Sequence, residues 1–254
     1  MKALFAVIKE NRMLRKPLSY CPALIALALM AFVPSNPAAA QQKDIQRFDV
    51  YGGFAYFDTP DLNLDEHGFH IQTGYNITRR IAAGFDYSYV SGHNSLTTNL
   101  LTMSDQLVVQ TALNDLALAG LLPPGYQLSV PTGSSTQTFA AGPELTVRHY
   151  VPVTIFVRPD LGAIREVARP HPADPIAALI VQGLAPSGTK TSWASFYGFG
   201  GGFDWNATRR FALRVQVDEV YNHLFNDLLQ NSRWTTRLSI GPTVRFGKTL
   251  SEKK

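Results

Sequence analysis

Apolar residues occupy every second position in two neighbouring segments of the chain, on either side of residues 206–210. A period of two is typical of β-strands with one apolar and one polar face. The sequence Asn-Ala-Thr-Arg-Arg between the two segments also occurs, as Asn-Ile-Thr-Arg-Arg, at residues 76–80. The pattern therefore predicts an antiparallel sheet built from repeated hairpins. The apolar positions around the turn at 206–210 are Tyr197, Phe199, Phe203 and Trp205 before it, and Phe211, Leu213, Val215 and Val217 after it.

The same alternation predicts eight strands along the chain. Their predicted ranges are 47–57, 69–77, 81–89, 139–148, 155–163, 197–205, 211–218 and 234–246. Links after the second, fourth and sixth strands are short, whereas those after the first, third, fifth and seventh are longer. Short turns thus gather at one end of the sheet and long loops at the other. An even number of strands with this asymmetry is typical of bacterial outer-membrane β-barrels.

Two of the long connections contain helix signals. In the connection 91–136, residues 104–120 precede Pro123-Pro124 and are predicted to form a helix capped by Ser104 or Asp105. In the connection 168–190, Asp174-Pro175 precedes an apolar run that ends at Gly183. That order predicts a short capped helix. The first connection, 58–66, is predicted to be an acidic loop.

Composition decides which face of the sheet points outward. A soluble exterior needs lysines on its strands, yet after residue 40 lysine occurs only at 43, 190, 248, 253 and 254. The polar face instead combines glycines with charges of both signs. An eight-stranded barrel is wide enough only for its own side chains, so we predict a closed network of charges in its interior. The predicted members are Asp86, Glu144, Arg148, Arg158, Asp160, Asp204, Arg214, Asp218, Arg237 and Arg245.

Aromatic residues of the opposite face fall mostly near strand ends. This distribution predicts two aromatic girdles at the lipid–water boundaries. The predicted girdle residues are Tyr56, Tyr75, Tyr87, Tyr89, Tyr197, Trp205, Phe211, Trp234 and Phe246.

The first forty residues carry an export signal. Lys9, Arg12, Arg15 and Lys16 precede an apolar run from 23 to 33, and Ala38-Ala39-Ala40 follows it. This order predicts a secretory signal peptide that is cleaved before Gln41. Its removal cancels the formal charge of +4, so the basic isoelectric point gives no support to nucleic-acid binding. The predicted organisation is a signal peptide at 1–40, a barrel at 41–246 and a short polar tail at 247–254.

Taken together, these features resemble the small eight-stranded outer-membrane barrels, the family of the OmpA transmembrane domain and the related outer-membrane-protein β-barrel domain. The resemblance rests on Gly-Gly-Phe-Ala-Tyr at 52–56, the two Asn-x-Thr-Arg-Arg turns, and a last strand that ends Gly-Pro-Thr-Val-Arg-Phe at 241–246. It implies insertion by the barrel-assembly machinery, which reads the last strand. It also implies outer-membrane lipid as the surrounding partner.

Other motifs give weaker signals. Asp61-Leu62-Asn63-Leu64-Asp65 matches the start of a calcium loop, but Glu66 and Gln72 stand where that motif has Gly and Glu. An acidic turn is therefore the preferred interpretation. His67, His70, His93, His149 and His223 are candidate bases beside Ser or Thr, as in lipid-modifying barrel enzymes. No nucleophile, base and orienting group stand out, and we predict no catalytic residues, metal or cofactor.

Three loop segments, 107–122, 176–184 and 224–229, are unusually apolar. They are predicted to pack together as a cap over the outer mouth, or else to bind an extracellular partner. The function predicted from the sequence is that of an integral outer-membrane β-barrel protein with a structural or surface-interaction role in the Gram-negative cell envelope. The alternatives are a narrow porin-like channel for small solutes and, third, a lipid-modifying enzyme.

Overall fold

The structure, a computed structural model, describes residues 45–149, 152–230 and 233–250. The predicted signal peptide and residues 251–254 of the predicted tail lie outside the described residues. Within these described ranges, two α-helices, α1 (Met103–Leu118) and α2 (Pro175–Leu184), accompany eight strands. The strands are β1 (Gln46–Thr59), β2 (Leu64–Asn76), β3 (Ile81–Thr97), β4 (Ser129–Val147), β5 (Val153–Pro170), β6 (Lys190–Asn206), β7 (Phe211–Asn222) and β8 (Arg233–Thr249).

Each strand pairs antiparallel with the next, and β8 pairs with β1 to close the ring. At the closing seam, Phe54 lies opposite Ile240 and Val50 lies opposite Val244. The prediction of an eight-stranded antiparallel up-and-down barrel is thus confirmed. Closure removes the free sheet edges, so the backbone groups of the first and last strands, β1 and β8, are paired with each other.

The repeated Asn-x-Thr-Arg-Arg segments form two equivalent turns. The Thr78 hydroxyl accepts hydrogen bonds from the backbone N–H groups of Arg80 (3.2 Å) and Ile81 (3.0 Å). Thr208 accepts the same pair of bonds at the same distances, from Arg210 and Phe211. The threonine side chain therefore satisfies backbone donors that the tight turn leaves without a ladder partner.

The prediction of an acidic loop at residues 58–66 is wrong. Strand β1 runs to Thr59 and β2 begins at Leu64, so only residues 60–63 link them. The link after the first strand is therefore as short as those at the opposite end. Leu62 and Leu64 are buried. Their burial stabilises the pairing of the acidic residues around them within the sheet.

The predicted connection 91–136 is too long, because both flanking strands extend into it. Backbone pairing between β3 and β4 continues from Ser91 opposite Ser135 to Thr97 opposite Ser129. The outer face of these extensions is mostly polar, and their inner face carries Leu96 and Val130 among polar residues, so the alternation that marks the rest of each strand is absent there. Likewise, β8 continues to Thr249, and residues 247–249 are strand rather than tail.

Helix α1 begins one residue earlier than predicted, at Met103. Its cap is Thr102, whose hydroxyl accepts from the Asp105 N–H at 3.3 Å, and not Ser104 or Asp105. Helix α2 is capped by Asp174, as predicted, through a 2.8 Å bond from the Ala177 N–H. In the described part of the chain, neither helix is long and apolar enough to cross a membrane.

The alternation separates the two faces of the barrel wall. Phe85 on β3 is 51% exposed, while its neighbour Asp86 is fully buried. On β8, Ile240 is 46% exposed and Ser239 is fully buried. The apolar face therefore lies outside, and the polar face lines the lumen.

Candidate functional site in the barrel lumen

Nine of the ten charged residues predicted for the interior lie on the inner face of the strands, and the tenth, Arg148, directly follows the end of β4. Nine are buried, and Arg148, close to the β4–β5 turn, is half-buried. They gather in two groups at different heights, which we call the central cluster and the turn-side cluster. The central cluster comprises Asp86, Arg158, Asp160, Asp218 and Arg237; the turn-side cluster comprises Glu144, Arg148, Asp204, Arg214 and Arg245.

Arg237 holds the central cluster together. Its guanidinium lies 2.7 Å from Asp218 Oδ2 and 3.1 Å from Asp86 Oδ1. Arg158 lies 2.8 Å from Asp160 Oδ1 and also pairs with Asp86. These residues come from β3, β5, β7 and β8, so their side chains meet across the lumen. Gly200 makes room for them, because a Cβ at that position would overlap the Asp218 carboxylate.

Arg214 holds the turn-side cluster together. It lies 2.7 Å from Asp204 Oδ1 and 3.4 Å from Glu144 Oε2, and its guanidinium stacks 4.3 Å from the Phe156 ring centroid. Arg245 adds a 2.6 Å contact to Asp204. At the edge of this cluster, Arg148 donates to Asn76 Oδ1 at 2.8 Å. Three arginines and two carboxylates thus fill the lumen at a second level.

Several interior residues were missed although they share the alternation of their strands. Gln72 donates to Glu144 at 3.1 Å, and Gln216 donates to Asp218 at 2.8 Å. His70 lies at the level of the central cluster and is fully buried. Selecting charged residues alone excluded these neutral members, which the period-two pattern places on the same face.

The structure does bring a serine, a histidine and an aspartate together. His70 Nδ1 lies 3.2 Å from Ser239 Oγ, and His70 Nε2 lies 3.7 Å from Asp86 Oδ1. However, the second distance exceeds a hydrogen bond, and the Asp86 carboxylate is already bound by two arginines. All three residues are fully buried. The arrangement therefore lacks the oriented base and accessible nucleophile that acyl transfer requires.

The remaining histidines and the calcium-like segment do not assemble into a site. His67 and His93 lie on exposed strand positions, His149 is exposed, and His223 packs edge-on against Tyr221 at 5.1 Å. In the calcium-like segment, Asp65 lies on β2 and accepts a 2.7 Å hydrogen bond from the Tyr56 hydroxyl. This segment forms a hairpin whose leucines point inward.

The nine predicted girdle residues lie on the outer face at two levels. Tyr75, Trp205, Phe211 and Phe246 lie near the short turns and are 38–57% exposed. Tyr56, Tyr87, Tyr89, Tyr197 and Trp234 lie further toward the loops. On the loop side, Tyr197 and Trp234 both contact Tyr221, with ring centroids 5.1 and 5.0 Å apart. Sequence reasoning missed Tyr221, which joins this aromatic patch.

The three apolar loop segments pack together in the outer mouth of the barrel. Thr102 N–H donates to Leu228 O at 2.8 Å, and Leu101 pairs with Leu229 in a short bridge. The packed segments, with the inner wall beneath them, form one apolar cluster, which we call the cap. Its buried members include Val109 and Leu113 from α1, Ala177 and Val181 from α2, Leu224, Phe225 and Leu229 from the last loop, and Val130, Ile164, Phe196 and Val220 from the strands.

One hydrogen-bonded pair ties two of these loops to each other. The Tyr126 hydroxyl donates to the Asp174 carboxylate, with distances of 3.0 and 3.1 Å to its two oxygens. Partial burial and this acceptor raise the pKa of Tyr126 to about 12. Because Asp174 also caps α2, the contact links the loop after α1 to the start of α2.

Beneath the cap, a third polar group contacts the loops. Arg233 is buried and donates to the Leu224 carbonyl of the last loop. It lines a small cavity of about 10 Å³ together with Glu66 and Glu166, room for about one water molecule. Glu66 accepts hydrogen bonds from Ser134 and, at 3.0 Å, from Thr136. Strand alternation does not predict this group, because Glu66 and Arg233 fall in segments that it predicts to be loops.

No protein-family profile matches the chain, and no curated protein sequence matches it. Solved structures do resemble it. Neisserial surface protein A is 15% identical over 78% of this chain and 97% of that one, with a TM-score of 0.49. The outer membrane protein OprG from Pseudomonas aeruginosa is 10% identical over 82% and 99%, with a TM-score of 0.47. Ail, the attachment invasion locus protein of Yersinia pestis, is 10% identical over 81% and 100%, with a TM-score of 0.43.

At these identities and TM-scores the comparisons assign no function to the chain. The ring of eight antiparallel strands rests on the strand pairing of the chain itself. The narrower resemblance to the OmpA transmembrane domain stays a prediction.

Proposed function

We propose that this protein is an integral barrel of the bacterial outer membrane, exported by its signal peptide, with a structural or surface-interaction role in the cell envelope. The observation that carries the proposal is that the barrel wall is inverted relative to that of a soluble barrel. Its apolar side chains face outward and its arginines face inward. Arg214 and Arg237 are at most 2% exposed, while Phe54, Phe199 and Phe211 are each 53% exposed. Such an exterior suits hydrocarbon, where a closed barrel also satisfies its backbone groups.

The closed lumen argues for a structural role over transport. Two levels of paired charges cross the interior, and the cap packs into the outer mouth above them. A solute has to displace both in order to pass. In so narrow a barrel, the ion pairs fill and stiffen the interior.

Electrical recording from planar lipid bilayers tests this role. The refolded full chain is expected to give no discrete conductance steps, because the central cluster blocks the lumen. A variant in which a short Gly-Ser linker replaces residues 103–127 removes α1 from the cap and leaves both charge clusters in place. It is also expected to stay closed. Stable, ion-selective steps from the unmodified chain would contradict the proposal.

A narrow channel is the second candidate, and a specific observation favours it. Gln72 Oε1 and Gln216 Oε1 are buried in the lumen without a protein hydrogen-bond partner among the described residues. Buried polar atoms of this kind are usually satisfied by water. A file of such waters is the starting point for a pore, and conductance steps in the recording above would select this alternative.

An enzymatic role ranks third, and we propose that the protein is not an enzyme. The buried Ser239, His70 and Asp86 lie where a lipid carbonyl cannot approach without displacing Arg158 and Arg237. Mass spectrometry of outer-membrane lipid after incubation with the refolded protein tests this. The expected result is an unchanged lipid profile, and a new deacylated or acylated species would overturn it.

The apolar exterior of the barrel, its last strand and its exposed loop side chains each indicate a proposed partner. Outer-membrane lipid surrounds the apolar exterior, and the barrel-insertion machinery reads β8 during assembly. On the loops, Met103, Leu107 and Leu118 of α1 are 66–88% exposed. These side chains lie outside the cap and are available to an extracellular partner. Nucleic acid is not among the proposed partners.

A further inference from the structure

An open groove of about 640 Å³ runs along the loop-side rim of the barrel, outside the lumen clusters. It is formed by the β1–β2 link, the ends of β3 and β4 and the 3-10 turn Thr98–Leu100. Its size is within the range of small-ligand sites, about 300–1,000 Å³.

Polar, mostly uncharged side chains make up most of its lining. Ligand pockets are usually lined mainly by apolar groups, so this composition favours a ligand that is itself polar. Among the described residues, Asp61 is the one carboxylate of the lining, and the lining contains neither lysine nor arginine. The polar positions other than His93 are Asp61, Asn63, Asn94, Ser95, Thr97 and Asn99.

Backbone pairing and the cap hold these groups in place. Asn94 and Ser95 lie on β3, opposite Thr132 and Pro131 of β4. In the β1–β2 link, the Asn63 N–H donates to Pro60 O at 3.1 Å. The adjacent Leu62 is anchored in the cap, and Leu100 packs against it. A ligand therefore meets a surface that is largely pre-organised, which lowers the entropic cost of binding.

The side-chain chemistry matches hydroxyl groups. An asparagine amide offers a carbonyl acceptor beside two N–H donors, so one side chain can bind two adjacent hydroxyls. Thr97 donates to Asn99 Oδ1, which directs the Asn99 amino group away from Thr97. Leu62, Leu100 and Pro131 contribute apolar surface, which suits the C–H face of a sugar ring.

We propose that this groove binds a neutral oligosaccharide. The lack of lysine and arginine in its lining disfavours sulfated or phosphorylated glycans, because their charge would face Asp61 without a cationic partner. A neutral sugar avoids that conflict and satisfies the amides. The site is independent of whether the lumen conducts.

Saturation-transfer NMR tests the proposal on the full chain refolded in zwitterionic, sugar-free detergent micelles. The probes are maltotriose, N,N′-diacetylchitobiose and a heparin-derived trisaccharide. At least one neutral probe is expected to bind, with weaker or no binding of the sulfated probe. Asn99→Ala and Asn94→Ala are each expected to weaken neutral binding about fivefold, since each removes one or two hydrogen bonds.

Asn114→Ala is the matched control, because it removes an exposed amide on α1, away from the groove. It is expected to leave binding unchanged, and β-sheet circular dichroism checks that each variant is folded. Competition with a delipidated neutral O-polysaccharide distinguishes the sources: displacement assigns the occupant to the cell's own surface glycan, and no displacement assigns it to a free oligosaccharide. Failure of both neutral probes to bind, preference for the sulfated probe, or equal loss in Asn114→Ala would overturn the proposal.

Discussion

Replacing Arg237 with methionine is expected to lower the free energy of unfolding by about 3–5 kcal/mol. Arg237 is fully buried and lies within 4 Å of Asp86, Asp160 and Asp218. Its removal leaves three carboxylates in the lumen with only Arg158 as a neighbouring cation from the central cluster. Breaking a buried ion pair on one side is costly because the remaining charge is uncompensated. Equilibrium unfolding in urea, with the barrel refolded in lipid vesicles, measures the loss.

Arg210→Met provides the control for this measurement. Arg210 is exposed in the β6–β7 turn, and its replacement is expected to change stability by no more than about 0.5 kcal/mol. The double variant Arg237→Met/Asp218→Asn should lose less than the sum of the two single losses, since it removes charge from both partners. Equal effects of Arg237→Met and Arg210→Met would contradict the assignment of the central cluster as an internal support.

Replacing Ile240 with arginine is expected to cost about 2–4 kcal/mol when the barrel is in a bilayer. Ile240 points outward in β8, midway between Trp234 and Phe246 of the two aromatic levels. An arginine there has to reach the headgroups from the middle of the hydrocarbon layer. In an aqueous exterior the same change to a half-exposed position would be nearly neutral. Unfolding of vesicle-inserted protein in urea separates these cases.

Ile77→Arg is the matched control for depth. Ile77 is 52% exposed, like Ile240, but lies in the β2–β3 turn. Near the boundary, the cost of an arginine falls to about 0–1 kcal/mol. Similar costs at positions 240 and 77 would argue against a bilayer around the mid-strand.

The parts of the fold that were predicted correctly are those governed by local rules. The Asn-x-Thr-Arg-Arg turns are set by contacts within four residues, through Thr78 and Thr208. The cap of α2 depends on Asp174 and Ala177, three positions apart. Strand alternation is equally local, and it assigns nine of the ten predicted charged residues to inward-facing strand positions.

The errors arose where this alternation ends although the strand continues. Residues 91–97 and 129–135 pair with each other as strands, but their outer face is polar, so the sequence pattern predicts a loop there. It also predicts a loop at Glu66, which is one of several acidic residues in a short segment. Each of these positions is fixed by a partner on another strand, which the local pattern does not contain.

Long-range contacts also explain why the lumen groups were only partly predictable. Ser239 and His70 are 169 positions apart. Arg233 of β8 lines its small cavity together with Glu66 of β2 and Glu166 of β5. The apolar loops predicted a cap in outline, since an exposed apolar helix face needs cover. Which loops touch each other, through Tyr126 and Asp174 for example, depends on how the ring closes.

The central claim is that the apolar face of this barrel touches hydrocarbon. Spin labels at Phe85→Cys and Ile240→Cys, in a Cys21→Ser background that removes the chain's own cysteine, test it most directly in vesicles. The account predicts that relaxation of both labels is accelerated strongly by oxygen, which concentrates in lipid, and weakly by a water-soluble nickel chelate. Strong acceleration by the nickel chelate at both positions would contradict it.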